Sequence, residues 1–169
     1  KTNTGQPNGL FTEYFGEPGK KKDMFRHKLY YTGDKAYKDE EGYIWFVGRD
    51  DDVIKSSDYR VGPFEVESIL QEHECVVESA VVGSRHAVKG FIVKAFIVLN
   101  ARYKPDEQNA KEIFAFAKKN LAAYKTPRII EFVTELPKTI SGKIRRVELR
   151  SVEEKKIVQH LKGEFEYYF

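Results

Sequence analysis

The spacing of apolar and polar residues changes once along this chain, near residue 50. Before it, short aromatic and β-branched runs at residues 29–32, 35–38 and 43–47 alternate with glycine- and acid-rich breaks. Such runs between turn formers predict strands, and Asp39-Glu40-Glu41-Gly42 predicts the turn of a hairpin. Residues 10–14 read as a further strand, 16–19 as a turn around Pro18, and 21–27 as a short helix. After the change, Val66, Ile69, Leu70 and His73 recur at i, i+3, i+4 and i+7 behind Gly62-Pro63. That spacing predicts an amphipathic helix with proline in its first turn. A second helix opens at Pro105, with Asp106 as N-cap and Ala110, Ile113, Phe114, Ala117 and Leu121 on its inner face, and Pro127 stops it. Residues 76–82, 91–99 and 128–133 read as apolar strands, with 83–90 joining the first two. Residues 144–150 read as one or two helical turns, 151–163 as a separate last helix, and the aromatic tail 165–169 as a packing segment.

The fold class expected is α+β. A β-rich piece, residues 1–50, is followed by a small α/β domain, residues 51–169, with a short sheet flanked by helices. The join is Val47-Gly48-Arg49-Asp50-Asp51-Asp52-Val53-Ile54-Lys55. Three adjacent carboxylates repel one another and disfavour a strand, so this run is expected to be a solvated connection. Taken alone it is an acidic turn with an arginine beside it.

Composition narrows the class of protein without naming its work. The chain has 169 residues, 41% hydrophobic, which is enough for a core, and 29 basic against 26 acidic residues. A net charge of +3 does not by itself point to nucleic acid. Two basic clusters, Lys20-Lys21-Lys22 and Lys143-Ile144-Arg145-Arg146, keep an anion-binding module open as an alternative. The single cysteine, Cys75, sits beside Val76 and Val77 and reads as a buried thiol rather than a nucleophile. No apolar run approaches the ~20 residues of a membrane helix, and no signal peptide is visible, so an intracellular compartment is the default. The polar start at Lys1, without methionine, reads as a cut piece of a longer protein.

Candidate chemistry gathers around three places. Thr32-Gly33-Asp34 ends a strand, and an ionised aspartate offers two acceptors suited to a vicinal diol such as a ribose. Alone it is a Gly-Asp turn. Arg49, at the far end of the hairpin, is expected close to Asp34, either as a surface ion pair or as a second grip on one ligand. Ser141-Gly142-Lys143 is no P-loop, because Pro137 stands where its first glycine belongs and Ile144 follows the lysine. It is a lysine on a glycine-flexed loop, either solvated or delivered to an anion. The four histidines, His27, His73, His86 and His160, lack zinc-like spacing, and no metal site is expected.

Read in order, Tyr31-Thr32-Gly33-Asp34, the join, Tyr59-Arg60-Val61-Gly62-Pro63-Phe64-Glu65-Val66-Glu67 and Leu136-Pro137-Lys138-Thr139-Ile140-Ser141-Gly142-Lys143-Ile144-Arg145-Arg146 are together specific. Across residues 10–150 they resemble the C-terminal end of the adenylate-forming superfamily, and within it the acetyl- to medium-chain acyl-CoA synthetases. The resemblance implies that residues 1–50 end a distorted-barrel subdomain of the large N-terminal domain and that 51–169 are the mobile C-terminal domain. It implies ATP, CoA, a carboxylic acid substrate, and Mg²⁺ held mainly by the N-terminal domain. Nucleic acid is not expected, and the compartment would be the cytosol or the mitochondrial matrix. By the same resemblance Asp34 and Arg49 hold the ribose of ATP, Arg60 reaches phosphate or substrate, Asp51 is the hinge and Lys143 is the adenylation lysine. Ser57, Asp58 and Tyr59 border the pantetheine channel, and Lys89, Tyr124 and Lys125 meet CoA. Asp58 departs from the glycine found in many relatives, so it either narrows that channel or points away from it. The ATP loop and the acyl pocket would lie outside these residues, so this fragment alone is expected to be inactive.

Overall fold

The computed structural model of the chain describes residues 11–27 and 29–169. They divide into two compact units that part after Asp51. In the first, α1 (Lys20–Met24) precedes β1 (Phe25–Arg26), which pairs antiparallel with β2 (Leu29–Tyr30). Then β3 (Asp34–Lys38) pairs antiparallel with β4 (Ile44–Arg49) in the hairpin expected from the sequence. Its turn is closed by Gly42 at φ 96°, and Asp39 accepts hydrogen bonds from Tyr43 N (2.8 Å) and Trp45 Nε1 (2.6 Å). The strand expected at 10–14 is not formed where it is described. Tyr14 makes one isolated bridge to Glu17 around the turn at Gly16, and Leu10 lies outside the described residues.

The second unit follows the order β5 (Ile54–Ser56), β6 (Tyr59–Val61), α2 (Pro63–Gln71), β7 (Val76–His86), β8 (Gly90–Leu99), α3 (Glu107–Asn120), β9 (Ile129–Phe132), α4 (Arg146–Val158) and β10 (Glu166–Tyr168). One sheet runs β10-β9-β8-β5-β6, with β7 paired along the length of β8. Strands β8 and β9 are parallel, and α3 supplies the crossover such a pair needs. Alternate positions of β8 face opposite cores, as strand geometry requires. Val93, Ala95 and Ile97 pack with Val66, Leu70, Ile113 and Phe114 of α2 and α3. Phe96 packs with Ala80, Val82 and Leu149, the last from α4. The N-cap at Asp106 is as expected, its side chain accepting from Asn109 N at 3.0 Å.

Two further expectations are corrected. Residues 83–86, read as a connection, continue β7, and β8 starts at Gly90, leaving 87–89 as the turn. Gly83 stands at the start of that stretch. In the fold it permits close approach, since a Cβ there would meet Phe91 at 3.1 Å and Ile54 at 3.2 Å. Residues 144–150 and 151–163, read as separate helices, give one helix, α4, over Arg146–Val158. The tail packs as expected, and it does so as a strand, β10, on the edge beside β9.

Candidate functional site

Asp34 and Arg49 are direct cross-strand partners at the open end of the β3–β4 hairpin. Arg49 Nε lies 3.9 Å from Asp34 Oδ1 and 3.5 Å from Asp51 Oδ1, with all three side chains largely exposed. Gly33, at φ 80°, lets the guanidinium lie against the backbone: a Cβ there would stand 3.2 Å from Arg49 Nη2. Asp50 N donates to Gly33 O at 2.8 Å, closing the end of the hairpin. Exposed ion pairs of this kind contribute about 0.2–1 kcal/mol. The pairing holds two acceptor oxygens and a five-donor fork side by side on an exposed edge.

The acidic run is not uniformly solvated, which corrects the sequence reading. Asp50 and Asp51 are exposed, but the Asp52 side chain keeps only 11% of its exposure. Arg150 bonds one oxygen of Asp52, and Arg146 Nη1 stands 3.7 Å from the other. Spacing along the chain carries no sign of partners 94 and 98 residues away, so Asp52 read like its neighbours.

Lys143 is exposed on a closed tongue between β9 and α4. Thr139 N donates to Lys143 O (2.8 Å), and Lys143 N donates to Thr139 Oγ1 (3.1 Å). Lys138 bridges Ile144, Arg145 N donates to Pro137 O (2.8 Å), and Gly142 turns the tip at φ 80°. The tongue therefore presents an ammonium on a backbone that is held at its base. The basic cluster that follows is not a free strip: Arg145 pairs with Glu148 at 2.5 Å, and Arg146 is buried against Glu67 at 2.6 Å. That removes one of the two clusters on which an anion-binding module would rest.

Ser57, Tyr59, Lys89 and Tyr124 come together around one cleft of about 100 Å³, completed by Thr126 and Arg128 among others. Ser57 N donates to Lys89 O at 2.9 Å, pinning the β5–β6 turn to the β7–β8 turn. Ser57 holds φ 51°, a left-handed conformation uncommon for a residue with a side chain and often found at functional sites. The rings of Tyr59 and Tyr124 stack 4.2 Å apart. Asp58 is exposed in the turn and does not line the cleft, and Lys125 stands beside it with its ammonium 2.5 Å from Glu65. That partner raises the Lys125 pKa against the opposing pull of burial. Arg60 is exposed on β6 opposite Lys55. Sequence reasoning missed Thr126 and Arg128, whose one signal was a polar pair on either side of Pro127.

A buried cluster of Glu131, Glu153 and Glu166 resembles a metal-ligand set, but Lys94 fills its centre. Lys94 Nζ lies 2.7, 2.5 and 2.9 Å from these three carboxylates. A cation already neutralises the place where an ion would sit, so the donor set does not fit a metal. His73 Nδ1 accepts from Cys75 N (3.3 Å), and His86 Nδ1 accepts from Val88 and Lys89 N (both 3.2 Å), which are turn-forming roles. Cys75 is fully buried, and burial pushes its thiol up, away from the thiolate. No helix among the described residues is long and apolar enough to cross a membrane.

Residues 65–143 match the family model of the AMP-binding enzyme C-terminal domain. The chain is 60% identical over 164 residues to 4-hydroxybutyrate–CoA ligase 1 of Metallosphaera sedula, covering 97% of this chain and 29% of that protein. It is 57% identical over 150 residues to the mitochondrial acyl-coenzyme A synthetase ACSM3 of Rattus norvegicus, covering 88% of this chain and 26% of that protein. Among solved structures, an anthranilate CoA ligase in complex with anthranoyl-AMP superposes with a TM-score of 0.78 at 41% identity, over 86% of this chain and 28% of that one. The chain thus spans under a third of the length of these relatives.

Proposed function

We propose that this chain, which belongs to the AMP-binding enzymes through its C-terminal domain, is the C-terminal portion of an AMP-forming acyl-CoA synthetase, an acid–thiol ligase. The parent enzyme activates a carboxylic acid with ATP as an acyl adenylate and then transfers the acyl group to CoA. The observation that carries this reading is the separation of two sites within one small unit. Ser57, Tyr59, Lys89 and Tyr124 line the cleft, and Lys143 stands on a tongue that does not line it.

Each site suits one half-reaction. In adenylation an anionic carboxylate attacks the α-phosphorus, and the Lys143 ammonium offsets the charge that builds between them. Asp34 and Arg49 grip the ribose, and Arg60 faces phosphate or substrate. In thioester formation the CoA thiol attacks the acyl carbonyl and AMP leaves; the cleft receives the CoA arm between the stacked tyrosines and Lys89. Asp51, where the two units part, is the pivot that exchanges the two sites. Mg²⁺ neutralises phosphate charge when bound and is held mainly by residues outside this chain. The enzyme works in the cytosol or the mitochondrial matrix, the latter supported by the mitochondrial relative.

The test is carboxylate-dependent ATP–pyrophosphate exchange by the full-length parent. Exchange is expected, and Lys143→Ala is expected to lower it about 100- to 1,000-fold, the usual effect of removing one such donor. Robust exchange by the variant would remove Lys143 from the mechanism. Absence of exchange with every carboxylate tried would remove the enzyme class.

A further inference from the structure

We propose that Arg146 is a positioning residue that welds the Lys143 tongue to the first residue of the second unit, so that the two travel as one lever. The inference rests on the reading of Lys143 as the adenylation lysine and concerns a residue which that reading leaves unused.

Arg146 is the first residue of α4, three positions after Lys143. It keeps only 9% of its exposure. Its Nε donates to Glu67 Oε1 at 3.1 Å and its Nη2 to Glu67 Oε2 at 2.6 Å, a two-pronged fork that fixes both position and orientation. Glu67 is itself anchored, since its Oε1 also accepts Val81 N at 2.7 Å from the middle of β7. The Arg146 guanidinium lies 4.5 Å from the centroid of the Phe64 ring. Its third nitrogen, Nη1, faces Asp52 Oδ2 at 3.7 Å, and Arg150, one turn along the same face of α4, bonds the other oxygen of Asp52.

Asp52 follows the residue proposed as the pivot. Arg146 follows the tongue proposed to deliver the reacting lysine. The tip of that tongue has no packing of its own: Ile140 is fully exposed, and a Cβ on Gly142 would meet nothing within 4 Å. The direction in which the tongue leaves the domain is therefore set at its base, where Lys138 pairs with Glu78 at 2.5 Å, Ile144 packs on the core and Arg146 locks the start of α4. Arg146 cannot swing away, because Glu67 would be left as an unpaired buried charge. A turn of the backbone at Asp51 is thereby passed rigidly to Lys143.

The test uses the full-length parent with Arg146→Met, Lys143→Ala, the double variant and Asp52→Asn. Exchange is measured beside thioester formation from supplied acyl adenylate and CoA, with circular dichroism to verify folding. A misplacement of about 1 Å at a reacting group typically costs about 100-fold. Arg146→Met is expected to lower exchange by that order, with KM for ATP and thioester formation from supplied adenylate nearly unchanged. In the Lys143→Ala background it is expected to add nothing, because residues that act as a unit are non-additive. Asp52→Asn, which leaves the Arg146–Glu67 fork intact, is expected to show a smaller loss with the same selectivity, and it carries the test if Arg146→Met does not fold. An additive loss in the double variant, equal loss of both half-reactions, or unchanged exchange overturns the proposal. Robust exchange by Lys143→Ala alone overturns both this inference and the functional reading beneath it.

Discussion

The rings of Tyr59 and Tyr124 stack with centroids 4.2 Å apart and planes 12° from parallel, joining the β5–β6 hairpin to the segment after α3 across the mouth of a cleft. Such a pair adds about 0.5–1.5 kcal/mol beyond its buried area. If the pair forms a wall of the CoA site, Tyr124→Ala raises KM for CoA about 3- to 10-fold and leaves pyrophosphate exchange intact. Tyr124→Phe keeps the stack and is expected to behave as wild type. The check is acyl-CoA formation against CoA concentration for all three. An unchanged KM in Tyr124→Ala removes this face from CoA binding.

Asp34 carries a prediction about ATP rather than CoA. It faces Arg49 at 3.9 Å on an exposed hairpin end, so its pairing contributes little to folding. A charge-assisted hydrogen bond to a ligand is stronger, about 1.5–3 kcal/mol. Asp34→Asn is expected to raise KM for ATP about 10- to 100-fold while shifting stability by less than about 1 kcal/mol. Exchange kinetics with ATP titrated, beside a thermal melt, distinguish the two. Equal ATP affinity in the variant would leave the pair as surface decoration.

Legibility followed the range of the interaction. The β3–β4 hairpin, the proline-led start of α2 and the Asp106 cap are written in neighbouring residues, and the sequence predicts each. The meeting of Ser57, Tyr59, Lys89 and Tyr124 around one cleft came only from the resemblance, since 67 residues separate the ends of that set and no period links them. What stayed hidden were contacts made by charges far apart in sequence. Asp52 read as the third of three equivalent carboxylates, yet two arginines of α4 bury it. Lys94, in an apolar run, gave no sign of its three glutamate partners, two of which come from α4 and β10. Periodicity reports which face is apolar; it says nothing of which distant charge shares that face.

The buried state of Asp52 sharpens the expectation for the pivot. Because Asp52 is clamped to α4, the proposed pivot falls on the exposed residue before it, Asp51. Proline at this position fixes φ near about −65°. Asp51→Pro in the full-length parent is expected to keep pyrophosphate exchange and to lose acyl-CoA formation. Measuring the two half-reactions separately decides the matter. Equal loss in both, or no loss in either, means that Asp51 is a static turn.

The Lys94 cluster predicts how the second unit responds to acid. Lys94 is fully buried, and Lys156 also bonds Glu131, so two ammonium groups face three carboxylates. Lys94→Met would leave those carboxylates facing one another without their central cation, and a loss of about 3–5 kcal/mol is expected. Glu166 gives the pH signature. Burial alone would push its carboxyl up, but hydrogen bonds from Tyr168 and Lys94 outweigh burial and bring it from 4.5 to about 2. A carboxylate depressed in the folded state releases its proton there more readily than in the unfolded chain. Between pH 4.5 and about 2 the unfolded chain therefore binds more protons. The stabilisation is complete above 4.5 and drains away as pH falls toward about 2. Glu166→Gln removes this response while keeping the size of the side chain. The gap in Tm between wild type and Glu166→Gln is expected to be widest near neutral pH and to close across that window. Tyr168 moves the other way: burial and the Glu166 carboxylate raise its hydroxyl to about 12, so its share is lost only as pH rises through the alkaline range. Melts from pH 7 down to about 2 provide the check. A gap that stays constant with pH would mean that Glu166 is not held as an anion by Lys94, and β10 would then be fastened to β9 by its backbone ladder and by the packing of Tyr167 on Phe132.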